Sequence, residues 1–76
     1  MTAIYGTRGE DGRVLAWRLL ERAVQVHWGW GGLPPVERSA RGKPFFPGRP
    51  EHWFSLSHSG GLALCALSDA PVGVDV

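Results

Sequence analysis

The segment Leu62-Ala63-Leu64-Cys65-Ala66-Leu67 constrains this chain more than any other. It is apolar at every position, so both faces that its backbone presents must be covered. Six residues are too few for a stable isolated helix and suit a strand. Ser59-Gly60-Gly61 precedes the run and Ser68 to Pro71 follows it, and both stretches carry turn chemistry. The run therefore reads as the central strand of a small sheet, which needs other strands at its edges and an apolar element on its face. The whole chain has 76 residues, enough for one small domain or a piece of a larger one. A domain of that size buries only about 60% of the surface its unfolded chain exposes. The core is therefore marginal, and four tryptophans are a heavy apolar load for it.

The rest of the sequence supplies the partners. Trp53 to Ser57 alternates large apolar with small polar residues, the pattern of a half-buried strand. Arg13 to Trp28 reads as a helix, because Trp17, Leu20, Val24 and Trp28 recur at spacings of three and four beside Ala16 and Ala23. Asp11 is placed to cap it. Gly29, Gly31 and Gly32 end it, and Pro34-Pro35 forbids its return. Ile4-Tyr5 reads as a short strand, Gly6 to Gly12 as a loop, Val36 to Arg41 as an extended segment, and Pro47 to Glu51 as another loop. Val72-Gly73-Val74-Asp75-Val76 reads as a third strand, with its valines on one face and Asp75 on the other. The expected class is α+β, one main helix packed on a small antiparallel sheet. The chain's last residue falls inside a β-branched run, which is expected of a piece of a larger protein.

Composition narrows the function classes. With 43% hydrophobic and 20% charged residues the chain is globular in character. A single cysteine, Cys65, excludes an internal disulfide, and its place in the apolar run predicts a buried, inert thiol. Met1 to Arg13 lacks the apolar core of a signal peptide, and no run approaches the ~18 apolar residues of a membrane helix, so a cytoplasmic protein is expected. The net charge is +1, but Arg38, Arg41, Lys43 and Arg49 follow one another without an acidic residue between them. That local patch suits a small anion better than long nucleic acid.

Three segments offer chemistry. In Gly42-Lys43-Pro44 glycine permits close backbone approach, lysine supplies a mobile positive charge and proline stiffens the turn. The trio suits a base edge and one phosphate, and the alternative is an ordinary surface turn. In Phe54-Ser55-Leu56-Ser57-His58-Ser59-Gly60-Gly61, Phe54, Leu56 and His58 share one face of a strand and the serines share the other. A histidine beside glycines can donate to a phosphate oxygen, and the alternative is a surface histidine in a hairpin. A serine-protease reading of Ser59-Gly60-Gly61 fails, because no triad order is visible and the chain is too short for that fold. It also lacks the Gly-x-Ser-x-Gly elbow. Asp75, facing away from the valines, needs water, a cation or a basic partner. Hard cations such as Mg²⁺ take such oxygen ligands and share them with phosphates.

Taken in order, Gly-Lys-Pro, then aromatic-Ser-Leu-Ser-His-Ser-Gly, then an apolar strand, then Pro-Val-Gly-Val-Asp-Val resembles the N-terminal half of 4′-phosphopantetheinyl transferases. The closer resemblance is to the larger, two-lobed type that serves peptide and polyketide synthetases. Upstream, Arg18-Leu19-Leu20, Gly32-Leu33-Pro34-Pro35 and Arg38 to Lys43 also fit it, so the resemblance covers nearly all of residues 1–76. It implies one lobe of a pseudo-twofold fold whose C-terminal lobe is absent. It also implies transfer of the 4′-phosphopantetheine arm of coenzyme A to a serine of an apo acyl or peptidyl carrier protein (holo-carrier-protein synthase activity). Lys43 and Pro44 are implied near the adenine end of coenzyme A, Ser57 and His58 at its phosphates, and Asp75 as first ligand of Mg²⁺. His58 and Asp75 are the implied catalytic residues. A contact from Arg18 or Arg22 to the 3′-phosphate is the remaining implication.

The sequence departs from the family in one respect. The magnesium motif normally reads Asp-x-Glu, and residue 76 is a valine after which no glutamate follows; the later Trp/Phe-x-x-Lys-Glu motif is absent as well. The chain is therefore expected to be inactive alone and to need the missing lobe or self-association, with an apolar lobe interface to which some tryptophans contribute. Two competing readings remain. One is a non-enzymatic module in which the basic patch with Trp53, Phe45 and Phe46 binds single-stranded nucleic acid. The other is a lobe that only pairs with other proteins. The +1 charge and the short basic stretch argue against nucleic acid, and no membrane partner is expected.

Overall fold

The computed structural model describes residues 2–74. In chain order its elements are β1 (Thr2–Arg8), α1 (Gly12–Trp28), β2 (Glu37–Arg38), β3 (Pro44–Phe45), β4 (Trp53–Ser59) and β5 (Leu62–Ser68). β5 lies at the centre of a three-stranded sheet of order β1-β5-β4, and β2 and β3 form a separate two-stranded hairpin. Both pairings of β5 are antiparallel, with Cys65 opposite Tyr5 on one side and Leu56 on the other. The fold is α+β: one helix packed on a three-stranded antiparallel sheet, plus a small hairpin.

Local chemistry sets the ends of α1. The Asp11 carboxylate accepts from the Arg13 and Val14 amides at 3.1 and 3.3 Å, which satisfies donors that a helix start leaves open. At the other end Gly29 adopts φ 71°, and both its amide and that of Trp30 turn back to the Val24 carbonyl. Between the caps, Ala16, Leu20, Ala23 and Val24 form the buried stripe. It packs on Phe54, Cys65 and Leu67 of the sheet and on Phe46. The Phe46 and Phe54 rings lie 4.5 Å apart, and Trp17 meets Phe54 edge-on at 6.4 Å.

The β4–β5 hairpin turns through Gly60 and Gly61. The Gly9 amide donates to the Gly61 carbonyl at 2.8 Å, and a Cβ on Gly61 would lie only 2.3 Å from the Gly9 carbonyl oxygen. The glycine at position 61 is therefore a packing requirement that ties the β1–α1 connection to the hairpin tip.

Two strand expectations need correction. β1 runs over seven residues, so Gly6, Thr7 and Arg8 belong to a strand and not to a loop. The edge of β5 pairs with them despite the weak strand propensity of Gly6. Residues 72–74 form no strand; the Val72 carbonyl and the Val74 amide bond to the Lys43 and Ser55 side chains instead of to a neighbouring backbone. Asp75 and Val76 lie outside the described residues. Among the described residues, no helix is long and apolar enough to cross a membrane. The four tryptophans are half-buried, and the exposed large apolar side chains are Ile4, Val14 and Val26.

Cys65 is fully buried, and burial pushes its thiol from an ordinary 9.0 up to about 12. At pH 8 the folded chain should resist alkylation and react once denatured, as mass spectrometry reads. The unfolded thiol ionises near 9.0 and the folded one near 12, so its contribution to stability is intact below 9.0 and declines as the pH rises towards 12. Phe54, at 1% exposure, touches both the helix and Phe46. Phe54→Ala should cost about 3–5 kcal/mol in urea unfolding, enough to leave a chain this small largely unfolded.

Candidate functional site

The β2–β3 hairpin is built to hold one short turn still. Its connection is closed by Ser39, whose amide donates to the Lys43 carbonyl at 2.8 Å and whose hydroxyl accepts from the Lys43 amide at 3.2 Å. Gly42 donates to the Ser39 carbonyl at 2.8 Å and sits at φ 82°, a region that disfavours side chains. The Arg38 guanidinium donates to the Gly42 carbonyl at 2.9 Å. Pro44 follows at the first position of β3, opposite Arg38, where no ladder donor is required.

Pro44 forms part of the wall of two clefts. The first, about 210 Å³, opens between the start of α1, the end of β4 and the hairpin. Arg13, Arg38 and His58 bring its polar groups, and Ala16, Trp17, Leu56 and Pro44 line the rest. No acidic residue lines it, so it favours an anion of modest size. The second, about 270 Å³, is lined by Ser39, Lys43, Pro44, Phe45 and Trp53. Its walls are mainly apolar and aromatic, which suits a flat ring.

His58 reaches the first cleft because the helix start lies close against the hairpin. A Cβ on Gly12 would meet the Gly60 carbonyl at 2.9 Å and the His58 Cβ at 3.0 Å. The lack of a side chain at Gly12 thus lets Arg13 and His58 share a cleft.

The structure brings some of the expected site residues together. Pro44 and His58 line one cleft, and Lys43 lines the neighbouring cleft across Pro44. The Lys43 ammonium donates to the Val72 carbonyl at 2.8 Å. Ser57 is not in either cleft: it pairs with Leu64 on the sheet face opposite to His58. Asp75 lies outside the described residues. Arg18 and Arg22 are exposed on α1 and line neither cleft. Arg13, one turn before Trp17, lines the first cleft, and the sequence carried no local signal for it, because its place beside His58 depends on the close approach at Gly12. Among the described residues, no three His, Cys, Asp or Glu side chains are grouped to hold a metal ion. A cleft furnished with arginines repels a cation, so the described residues by themselves do not fit Mg²⁺.

Comparison with known proteins agrees in part. The chain is similar to a 4′-phosphopantetheinyl transferase of Bacillus subtilis, at 43% identity over 35 residues, which is 46% of this chain and 16% of that protein. It matches the 4′-phosphopantetheinyl transferase Sfp of Bacillus subtilis (strain 168) to the same extent. With the 4′-phosphopantetheinyl transferase psf-1 of Bacillus pumilus it shares 45% identity over 40 residues, which is 53% of this chain and 17% of the relative. The matched stretch thus spans about a sixth of the length of these relatives. No family model matches the chain, and no solved structure matches it.

If the first cleft takes an anion, pyrophosphate should shift the His58 ring resonances in an NMR titration. His58→Ala and Arg38→Ser should each weaken that binding about 2- to 5-fold. Raising salt from ~0.05 to ~0.5 M should weaken it further, because both arginines are exposed and screened.

Proposed function

We propose that this chain is the coenzyme A–binding N-terminal lobe of a 4′-phosphopantetheinyl transferase. The observation that carries the reading is the joint wall at Pro44: a cationic cleft on one side and an aromatic-lined cleft on the other. A ligand with a flat base at one end and phosphates at the other complements that pair. The partial likeness to three transferases supports the same class.

In this reading the adenine end rests near Lys43 and Pro44, and His58 with Arg13 and Arg38 faces the phosphates. Ser57 contacts the phosphates only where the ligand passes over the β4 edge, since it lies on the opposite face. The carrier-protein serine attacks the phosphorus that bears the pantetheine arm. A new P–O bond forms, the bond to adenosine 3′,5′-bisphosphate breaks, and the serine proton passes to a base. The cationic groups of the cleft offset charge on the departing bisphosphate. Asp75 is the proposed magnesium ligand.

The relatives are about six times longer than the matched stretch. The proposal therefore includes a second lobe, from a longer polypeptide or a second copy, that completes the site for coenzyme A and an apo carrier protein. Calorimetric titration with coenzyme A should show binding to the chain alone, and a single-stranded oligonucleotide should bind more weakly. Mass spectrometry of an apo carrier protein should show coenzyme A–dependent gain of one phosphopantetheine with a two-lobed polypeptide and none with this chain alone. Oligonucleotide binding without coenzyme A binding overturns the transferase reading, whereas robust turnover by the short chain overturns only the need for a second lobe.

A further inference from the structure

The segment that follows β5 forms no ladder, yet it is held at two points. The Val72 carbonyl accepts from the Lys43 ammonium at 2.8 Å, and the Val74 amide donates to the Ser55 hydroxyl at 3.1 Å. One anchor comes from the β2–β3 hairpin and the other from the middle of β4. Val72 and Val74 are half-buried and Gly73 between them is exposed, so the segment turns its two valines inward. It runs past Ser55, whose cross-strand neighbour Ala66 is completely buried. On the same sheet face Ile4 is 65% exposed, so that burial is local to the Ser55 side of the sheet.

A lysine ammonium on a four-carbon stem is otherwise free to sample many rotamers. Here its ammonium donates to a carbonyl two residues before the amide that makes the second hydrogen bond. Lys43 also lines the aromatic cleft beside Pro44. Ser55 lines neither cleft itself, although Trp53 and Leu56 of the same strand do, and its side chain reaches Lys43 only by way of the segment.

From this arrangement we infer that Ser55 is a positioning residue for Lys43: it fixes Val74, Val74 fixes Val72, and the Val72 carbonyl holds the lysine along the wall of the cleft. The inference rests on the proposed coenzyme A site. It adds a residue that lies outside that site and acts on it indirectly. It also gives the backbone of residues 72–74 a role separate from that of any neighbouring carboxylate.

Two readouts on the intact chain test it. Amide hydrogen exchange followed by NMR reports the strap itself. Ser55→Ala should speed exchange at Val74 about tenfold or more while the Cys65 and Leu67 amides keep their protection, and Ser55→Thr should restore the slow rate. Calorimetric titration with coenzyme A reports the consequence. Ser55→Ala and Lys43→Met should each weaken binding about 3- to 10-fold, and the double variant should be no weaker than Lys43→Met alone, because both changes cut one chain of contacts. Unchanged Val74 exchange in Ser55→Ala overturns the strap, whatever coenzyme A does. Additive losses in the double variant overturn the route through Lys43. Failure of the unaltered chain to bind coenzyme A overturns the proposed function, and a fast Val74 amide in Ser55→Ala would then leave the strap as a purely structural device, with the positioning role refuted.

Discussion

Cys65 and Leu67 have no solvent exposure because β1 and β4 take both edges of β5 while α1 lies across one face. Every other feature of the chain is arranged around that enclosure. The antiparallel pairings place Phe54, Leu56 and His58 in one row, with Leu67, Cys65 and Ala63 beside them and Ala3, Tyr5 and Thr7 beyond. In the β4 row Phe54 is in the core and His58, at the other end, is exposed at its rim. The strand that closes the core thus also carries a histidine out to a cleft. Moving the register of β4 by one residue would bury His58's neighbours on the wrong face and remove the cleft and the core together.

A chain of aromatic rings extends the enclosure away from the sheet. Phe54 meets Phe46, Phe46 meets Trp30, and Trp30 meets Trp28 and His52, with centroid separations between 4.5 and 5.5 Å. The Arg49 guanidinium lies 4.6 Å above the Trp30 ring. These contacts explain how two of the four tryptophans, Trp28 and Trp30, are accommodated without full burial. They also connect the long stretch between α1 and β4 to the core, so the β2–β3 hairpin leaves and rejoins a fixed base. A hairpin with two-residue strands has little stability of its own. Its ability to present Lys43 and Pro44 depends on Phe46, 2% exposed, being seated directly after it.

What the sequence made legible follows the range of the interactions. The ends of α1 were readable because Asp11 and Gly29 act within a few residues of the backbone groups they serve. β5 was readable because an uninterrupted apolar run has few other uses. The length of β1 was not, since Gly6, Thr7 and Arg8 take strand geometry only from pairing with residues more than fifty positions away. The valine-rich segment at 72–74 misled for the complementary reason: its composition favours a strand, but its backbone is taken by the side chains of Lys43 and Ser55. At the candidate site, Lys43, Pro44 and His58 were visible as local chemistry. Arg13 was not, because its approach to His58 depends on the bare Gly12 backbone against the hairpin. Nor could sequence alone show that the Lys43 ammonium is held by Val72.

The energetics of the two clefts explain why their shared wall matters. Arg13, Arg38 and His58 are exposed, so each contact to an anion is screened and contributes at most about 1 kcal/mol. Three such contacts give no more than about 3 kcal/mol, short of the ~4 kcal/mol that corresponds to a millimolar dissociation constant. A free phosphate would therefore be held only loosely. The apolar cleft adds a term of different origin: burying ~100 Å² of a flat ring supplies about 2.5 kcal/mol, largely indifferent to salt. Neither half is a strong site alone. With Pro44 between them, one ligand that carries both a ring and phosphates collects both terms while losing its translational freedom once. The proposed selectivity for such a ligand over phosphate or ring alone would then rest on the fixed geometry of the wall, whose turn is closed by Ser39, Gly42 and Arg38.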